Sequence, residues 1–463
     1  MKEKNQDKRL RTRWNTMQIL AIGFLGVILA GAVLLWLPVS NKEPIQFVDA
    51  LFTSVSAICV TGLMTITPAT QFTIVGKLIL MVLIQIGGLG VVACMTLFFL
   101  LLRKKITVKE RIVIQESYSA DKLGGIVGMI RKVIIGTFWV EGAGAFFYAL
   151  EFIPRYGWVK GVAYAIFHAI SAFCNAGIDI LGTNSLGYYV GNPLINFTTA
   201  ALIILGGLGF AVWYDVVENV KHICHKEVPR HWWFTRLTLH SKIVIISTAF
   251  LLLAGTILIF AMEYHNGNTI GNMPLGEKLL SSFFQSVTTR TAGFSTFSQK
   301  GMHEESKFIC CILMFIGGSQ GGTAGGVKTA TVAMLVLSCI TMIRGGKDIE
   351  CFGRRIEVEN VRTGFVVVMI SFLTLFVGTI GILILEPDSI PFLDILYEST
   401  SAIATVGLTA NLTPILCRSS QCILMVLMYI GRVGPLTLAL LFAGRKDSRE
   451  RLRKLPKERI TVG

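Results

Sequence analysis

The sequence predicts an all-α membrane protein of four tandem, parallel repeats, each a span, a short re-entrant helix and a second span. Three observations predict it: long charge-poor apolar runs, one-sided basic residues, and a motif repeated four times at near-constant spacing. The chain has 463 residues, 53% hydrophobic and 15% charged, where a soluble domain carries about 25% charge. Leu78 to Leu102 holds no charged residue, and about 20 apolar residues cross a bilayer. Similar runs cover 16–39, 133–150 (interrupted by Glu141), 194–214, 243–262, 308–327, 363–385 and 423–444, making eight candidate crossings. The N-terminus is polar and basic, without the pattern of a cleavable signal peptide, and the first run is long enough to be a retained span.

The basic residues give the sidedness. With eight crossings, 30 of the 43 Lys and Arg fall at the N-terminus, in the three even-numbered loops and in the C-terminal tail, against 8 in the four odd-numbered loops. The positive-inside rule then puts both termini on the cytoplasmic side of the membrane. The net charge of +15 is read as topology, and no nucleic-acid partner is expected.

The odd, outer loops contain the motif: FTSVSAICVTGL (52–63), FHAISAFCNAGI (167–178), FFQSVTTRTAGF (283–294) and YESTSAIATVGL (397–408). Each begins with an aromatic residue, runs through a Ser/Thr/Ala-rich stretch too short to span, and ends on Gly plus a bulky apolar residue. The glycines, Gly62, Gly177, Gly293 and Gly407, are 115, 116 and 114 residues apart, a repeat signal. Two crossings per repeat make all four copies parallel; an inverted-repeat transporter needs an odd number. The expected divisions are an N-terminal segment 1–15, repeats at 16–103, 104–222, 223–343 and 344–444, and a tail 445–463.

Backbone that is not helical is tolerated at membrane depth only inside protein or along a watery cavity. A helix that dips in and stops there aims its partly negative C-terminal end inward, which favours a cation. Residues beyond it can offer carbonyl oxygens in place of an ion's hydration shell. The candidate filter is therefore Val60, Thr61 and Gly62 with Asn175, Ala176 and Gly177, Thr291, Ala292 and Gly293, and Thr405, Val406 and Gly407, arranged around a central pore with pseudo-fourfold, potassium-channel-like logic. Taken singly, each glycine reads equally as a helix C-cap; four in register favour the ring.

A second echo follows each motif: IGGLG (86–90), LGGLG (205–209), IGGSQGG (316–322) and IGRVG (430–434). Gly88, Gly207 and Gly318 are matched in the fourth copy by Arg432. An arginine inside a span marks function, here an electrostatic barrier to cations; the alternative is an arginine paired structurally with a carboxylate. In the third copy six of the ten residues from Gly317 to Gly326 are glycine. Each costs roughly 1 kcal/mol of helix propensity, so a break is expected here, with Lys328 following at the cytoplasmic end. Glycines spaced by four, Gly317, Gly321 and Gly325 or Gly318, Gly322 and Gly326, also suit a closely packed continuous helix.

On these repeats and glycines the whole chain resembles the Trk/Ktr/HKT superfamily of cation transporters. The early position of Gly62 makes it similar to the KtrB-type membrane subunit of bacterial potassium uptake systems. The resemblance implies potassium preference from four filter glycines, an intramembrane gate loop over 317–328, a homodimer, and a cytosolic nucleotide-binding RCK regulatory subunit (KtrA-like). It implies no cofactor in this chain, with potassium as the transported ion, held as a metal by the filter residues only, and sodium as a possible activator.

The remaining features read plainly. Most of the ten cysteines are small packing residues, Cys417 and Cys422 have an outer-side pairing open to them, and His222, Cys224 and His225 lack a second ligand cluster for a metal. The loop segments RKKITVKERIVIQESYSADKLGG and RGGKDIECFGRRIEVEN read as solvated faces. The basic tail suits anionic headgroups or a dimer interface. Glu141 is expected to face protein. Sodium-coupled or sodium transport on the same fold, and a non-conducting membrane scaffold, are the rival functions. No spaced catalytic constellation suggests an enzyme.

Overall fold

The computed structural model describes residues 16–90, 93, 94, 96, 97 and 125–434, apart from 183, 226–228, 230, 232 and 347. The N-terminal segment, the loop after the second run, the end of the eighth run and the tail lie outside the described residues. The first repeat contributes α1 (Thr16–Trp36), α2 (Phe47–Ile58) and α3 (Ile74–Leu89). The second contributes α4 (Ile126–Tyr156), α5 (Trp158–Phe173), α6 (Pro193–Leu208) and α7 (Phe210–Cys224). The third has α8 (Leu239–Glu263), α9 (Leu275–Thr288), α10 (Glu304–Phe315) and α11 (Thr329–Ile343). The fourth has α12 (Val358–Leu385), α13 (Phe392–Ile403) and α14 (Arg418–Val433).

Local chemistry sets several starts. Asn192 caps α6 by accepting from Ile195 N at 3.2 Å, with Pro193 in the first turn, where its missing N–H is not needed. Thr238 caps α8 through Ser241 N. Along α8, Phe250, Leu253 and Ile257 are 67%, 65% and 65% exposed, a face suited to hydrocarbon rather than water. By length and apolarity α4, α8 and α12 cross a membrane singly, and α6 with α7 form a bent pair.

The short helices behave differently. Phe52 to Ile58 of α2 are all buried, as are Tyr397 to Ile403 of α13. Their Ser, Thr and Ala side chains allow close approach; the Ser54 hydroxyl donates to Ile28 O at 2.7 Å. Each short helix packs on the spans of its own repeat and on the preceding second span: α3 on α5, α6 on α9, α10 on α13, and α14 back on α2. That cyclic order closes the bundle around the short-helix ends.

The second runs are not the uninterrupted crossings that their composition suggests. Helix α3 stops at Leu89, and Gly90 has φ 86°. Helix α6 stops at Leu208, Gly209 has φ 90°, and α7 leaves at 100° to α6. A left-handed residue ends a helix, and glycine takes it without a Cβ clash. Lys328 is also corrected: it caps α11, fifteen residues long, so it sits well before that helix's far end. The loop 344–357 carries a small hairpin, Ile349–Cys351 against Arg354–Ile356, turned by Phe352 and Gly353 at positive φ.

Two ion pairs tie adjacent repeats. Lys307, in the first turn of α10, meets Asp394 of α13 at 2.7 Å with both side chains largely buried. Arg418, opening α14, meets Asp49 of α2 at 2.6 Å. Both aspartates stand thirteen residues before their repeat's glycine. Replacing Asp394 with Leu strands the Lys307 charge and is expected to cost about 3 kcal/mol or more. Removing the exposed Glu359 partner of Arg362 should cost roughly 0.5 kcal/mol or less. Thermal unfolding of the detergent-solubilised variants checks the contrast.

Candidate functional site

Each short helix stops four or five residues before its glycine, and the segment beyond has the same pair of positive-φ residues in all four copies. The residue two before the glycine is left-handed: Val60 (φ 56°), Asn175 (59°), Thr291 (67°) and Thr405 (52°). The glycines follow at φ 99°, 63°, 81° and 92°. Positive φ is rare in β-branched residues, and three of the four are Val or Thr. Such strain persists only where surroundings enforce it, commonly at functional sites.

Hydroxyls in the last helical turn supply part of the enforcement. Gly62 N donates to Ser56 Oγ at 2.9 Å, and Gly407 N to Ser401 Oγ at 3.0 Å. Ser171 Oγ donates to Ile178 O, and Thr288 Oγ1 to Phe294 O, each at 2.6 Å. Backbone bonds from Thr61, Ala176 and Val406 to Ser56, Ser171 and Ser401 carbonyls are each 2.8 Å. Glu398 of α13 adds a brace, accepting from the Thr409 and Thr413 hydroxyls and from Leu412 N. The Ser/Thr richness of the motifs was visible in sequence; which hydroxyl holds which backbone group was not.

The structure brings the four glycines together. A Cβ on Gly62 would run into Ala176 O, on Gly177 into Ala292 O, on Gly293 into Val406 O, and on Gly407 into Thr61 O. Each glycine thus lies against the carbonyl just before the next glycine, and the fourth returns to the first. Above them is a cavity of about 500 Å³ lined by all four glycines, with Asp179 as its one ionisable side chain among the described lining residues. Burial pushes the Asp179 carboxyl up to about 6, opposed by donors from Gly182, Leu181 and Ser185; in its ionised form this carboxylate makes the vestibule attractive to cations. The hydroxyls of Thr61 and Thr405 are buried without a hydrogen-bond partner among the described residues.

On the other side, residues 316–328 form a loop between α10 and α11, which overturns the continuous-helix alternative. Val327 N donates to Phe315 O, and Thr329 N to Gly318 O, folding the loop back on itself. Gly317 faces Gly325 O so closely that a Cβ would collide, and Gly325 presses on Thr405. Gly321 and Gly326 take φ 72° and 69°. The loop tip crosses to the second repeat: Ser319 N meets Gly207 O at 2.8 Å, Thr323 N meets Gly206 O at 3.0 Å, and Thr323 Oγ1 meets Phe173 O at 3.0 Å. Gly322 also packs on Gly206 O. Lys328 Nζ donates to Ala324 O at 2.7 Å.

Arg432 joins three segments rather than standing bare in its span. Its Nη1 donates to Thr323 O of the loop and its Nη2 to Gly87 O of α3, with Gly88 O at 3.4 Å. A second arginine passed unremarked in the sequence reading: Arg290, inside TTRTAGF, is buried and donates to Gly317 O and Thr329 Oγ1. The quoted motif contained it, but nothing in the local pattern said what it would reach. Glu141 is buried and accepts from Gln85 Nε2 at 3.0 Å. Cys417 and Cys422 are both free thiols. His222, Cys224 and His225 gather no metal-binding group among the described residues.

With this geometry in hand, a family model described as TrkH, cation transport protein, matches residues 1–452. The chain belongs to the TrkH family of cation transport proteins. This TrkH-family chain is 38% identical to the Ktr system potassium uptake protein B of Bacillus subtilis, over 96% of each chain. It is also 38% identical to the potassium/sodium uptake protein NtpJ of Enterococcus hirae, over 98% of this chain and 99% of that one. The crystal structure of the potassium transporter TrkH from Vibrio parahaemolyticus matches with TM-score 0.73 at 16% identity. That match covers 94% of this chain and 86% of that one, and it speaks to the fold.

Proposed function

We propose that this chain is the potassium-translocating membrane subunit of a Ktr-type uptake system. In this reading cations pass a pseudo-fourfold filter of four glycine segments and a gate formed by loop 316–328. The observation that carries the proposal is the closed ring of glycines, each against the next repeat's carbonyl. Four short helices end at that ring, and their partly negative termini favour a cation there. The buried Thr61 and Thr405 hydroxyls are costly unless paired, by about 1–3 kcal/mol each, and a passing cation is a fitting partner. The similarity to proteins named for potassium uptake supports the ion. A homodimer on a cytosolic nucleotide-binding RCK subunit, with both chain termini cytoplasmic, completes the proposal. Sodium transport or activation by sodium is the second reading, favoured by the similarity to the potassium/sodium protein of Enterococcus hirae. A non-conducting scaffold has no use for the strained glycine ring.

The deciding experiment is potassium-dependent growth of a strain without its own uptake systems, expressing this chain with and without an RCK partner. Rescue at low potassium is expected. Absence of rescue, with the protein present in the membrane, overturns the proposal, and sodium flux that survives without potassium favours the second reading.

Gly62→Ser places a side chain where Ala176 O now lies, at positive φ. It should lower potassium-over-sodium discrimination, measured as the ratio of ion fluxes into liposomes.

For Arg432, two unit charges about 7 Å apart repel by roughly 2 kcal/mol at an effective dielectric near 20, a slowing on the order of 30-fold. Arg432→Ala removes the charge and frees Thr323 O, so maximum flux per folded transporter should rise with selectivity little changed. Reduced flux at normal expression would make Arg432 a purely structural tie.

A further inference from the structure

Loop 316–328 is held at two places by two arginines. Arg432 grips the tip at Thr323 O. Arg290 grips the base: its Nη2 lies 3.0 Å from Gly317 O, where the loop begins, and 2.7 Å from Thr329 Oγ1, where it ends. Thr329 Oγ1 also donates to Gly317 O at 2.9 Å, closing a three-membered clasp. The other three repeats have Cys59, Cys174 and Ala404 at the position of Arg290, three before the glycine. The charged residue therefore occurs only in the repeat whose second span is interrupted by the loop. It also directly precedes Thr291, the left-handed residue of the third glycine segment.

We infer that Arg290 is a positioning residue that couples the gate loop to the third filter segment, so that displacing the loop base alters ion selectivity as well as flux. This rests on the transport reading above. The physical reason is desolvation. A buried guanidinium needs acceptors, and both acceptors that hold its Nη2 belong to the loop's ends. Movement of those ends obliges Arg290 to follow, and Thr291 is the next residue along the chain. The end of α9 holds the other side of the lever, since Arg290 N donates to Val287 O at 3.0 Å. Tip and base then have separate roles: release of the tip opens the path, while the base keeps the filter in register.

The test uses the full chain in liposomes, with potassium and sodium fluxes measured per folded transporter. Arg290→Gln is expected to lower the potassium-to-sodium flux ratio by about threefold to tenfold, the scale of one ordinary net hydrogen bond. Thr329→Val, which deletes one clasp atom at nearly constant shape, should shift the ratio the same way by less. Arg290→Lys, which keeps the charge and one donor, should restore part of it. An arginine that only stabilises the fold would lower yield and leave the ratio of the surviving molecules unchanged. A wild-type ratio in Arg290→Gln overturns the coupling; if that variant does not accumulate, a wild-type ratio in Thr329→Val overturns it. Wild-type protein that carries neither ion overturns the transport reading itself, a result separable from normal transport with unaltered variants.

Discussion

Hydrogen bonding of non-helical backbone inside a membrane is the constraint on which this structure depends. Among the described residues, the four glycine segments and loop 316–328 leave the helix where the bundle encloses them. In hydrocarbon each unpaired N–H or C=O costs several kcal/mol, so every such segment must be enclosed by protein. The four short helices do that by burying the turn next to each glycine segment, with hydroxyls from Ser56, Ser171, Thr288 and Ser401 satisfying the chain that follows. The long spans then serve as a wall, apolar toward lipid and small-residue-rich toward the short helices.

Positive charge in the membrane is handled by the same means. Arg432, Arg290 and Lys328 donate to backbone carbonyls of broken helices. A broken helix leaves carbonyls without intrahelical donors, and a cationic side chain is a strong donor for them. Breaks and cations thus stabilise one another. This explains why the arginines and the glycine-rich breaks occur together beneath the ring.

Ion pairs, one buried and one half-exposed, are placed at the seams between repeats instead. Lys307 with Asp394 and Arg418 with Asp49 each join the start of a second helix to the next repeat's short helix. Charge in these pairs fixes which helix meets which, while the four-residue gap from helix end to glycine sets how far each segment reaches inward. Glu398 shows the same economy within one repeat, holding three donors from the chain beyond Gly407.

The sequence by itself determined the class, the four repeats, their glycines and the unusual character of 317–326 and Arg432, because composition, spacing and helix propensity are local properties written along the chain. It also placed Glu141 against protein. Tertiary structure alone decided that second runs break at Gly90 and Gly209, since glycine in an apolar run is compatible with either helix or break until neighbouring carbonyls favour one. It decided that Lys328 begins a further fifteen-residue helix. It decided, too, what Arg290 and Arg432 touch, because their acceptors lie 27 to 345 residues away and all but the Thr329 hydroxyl are main-chain atoms, which carry no side-chain identity for a sequence to reveal.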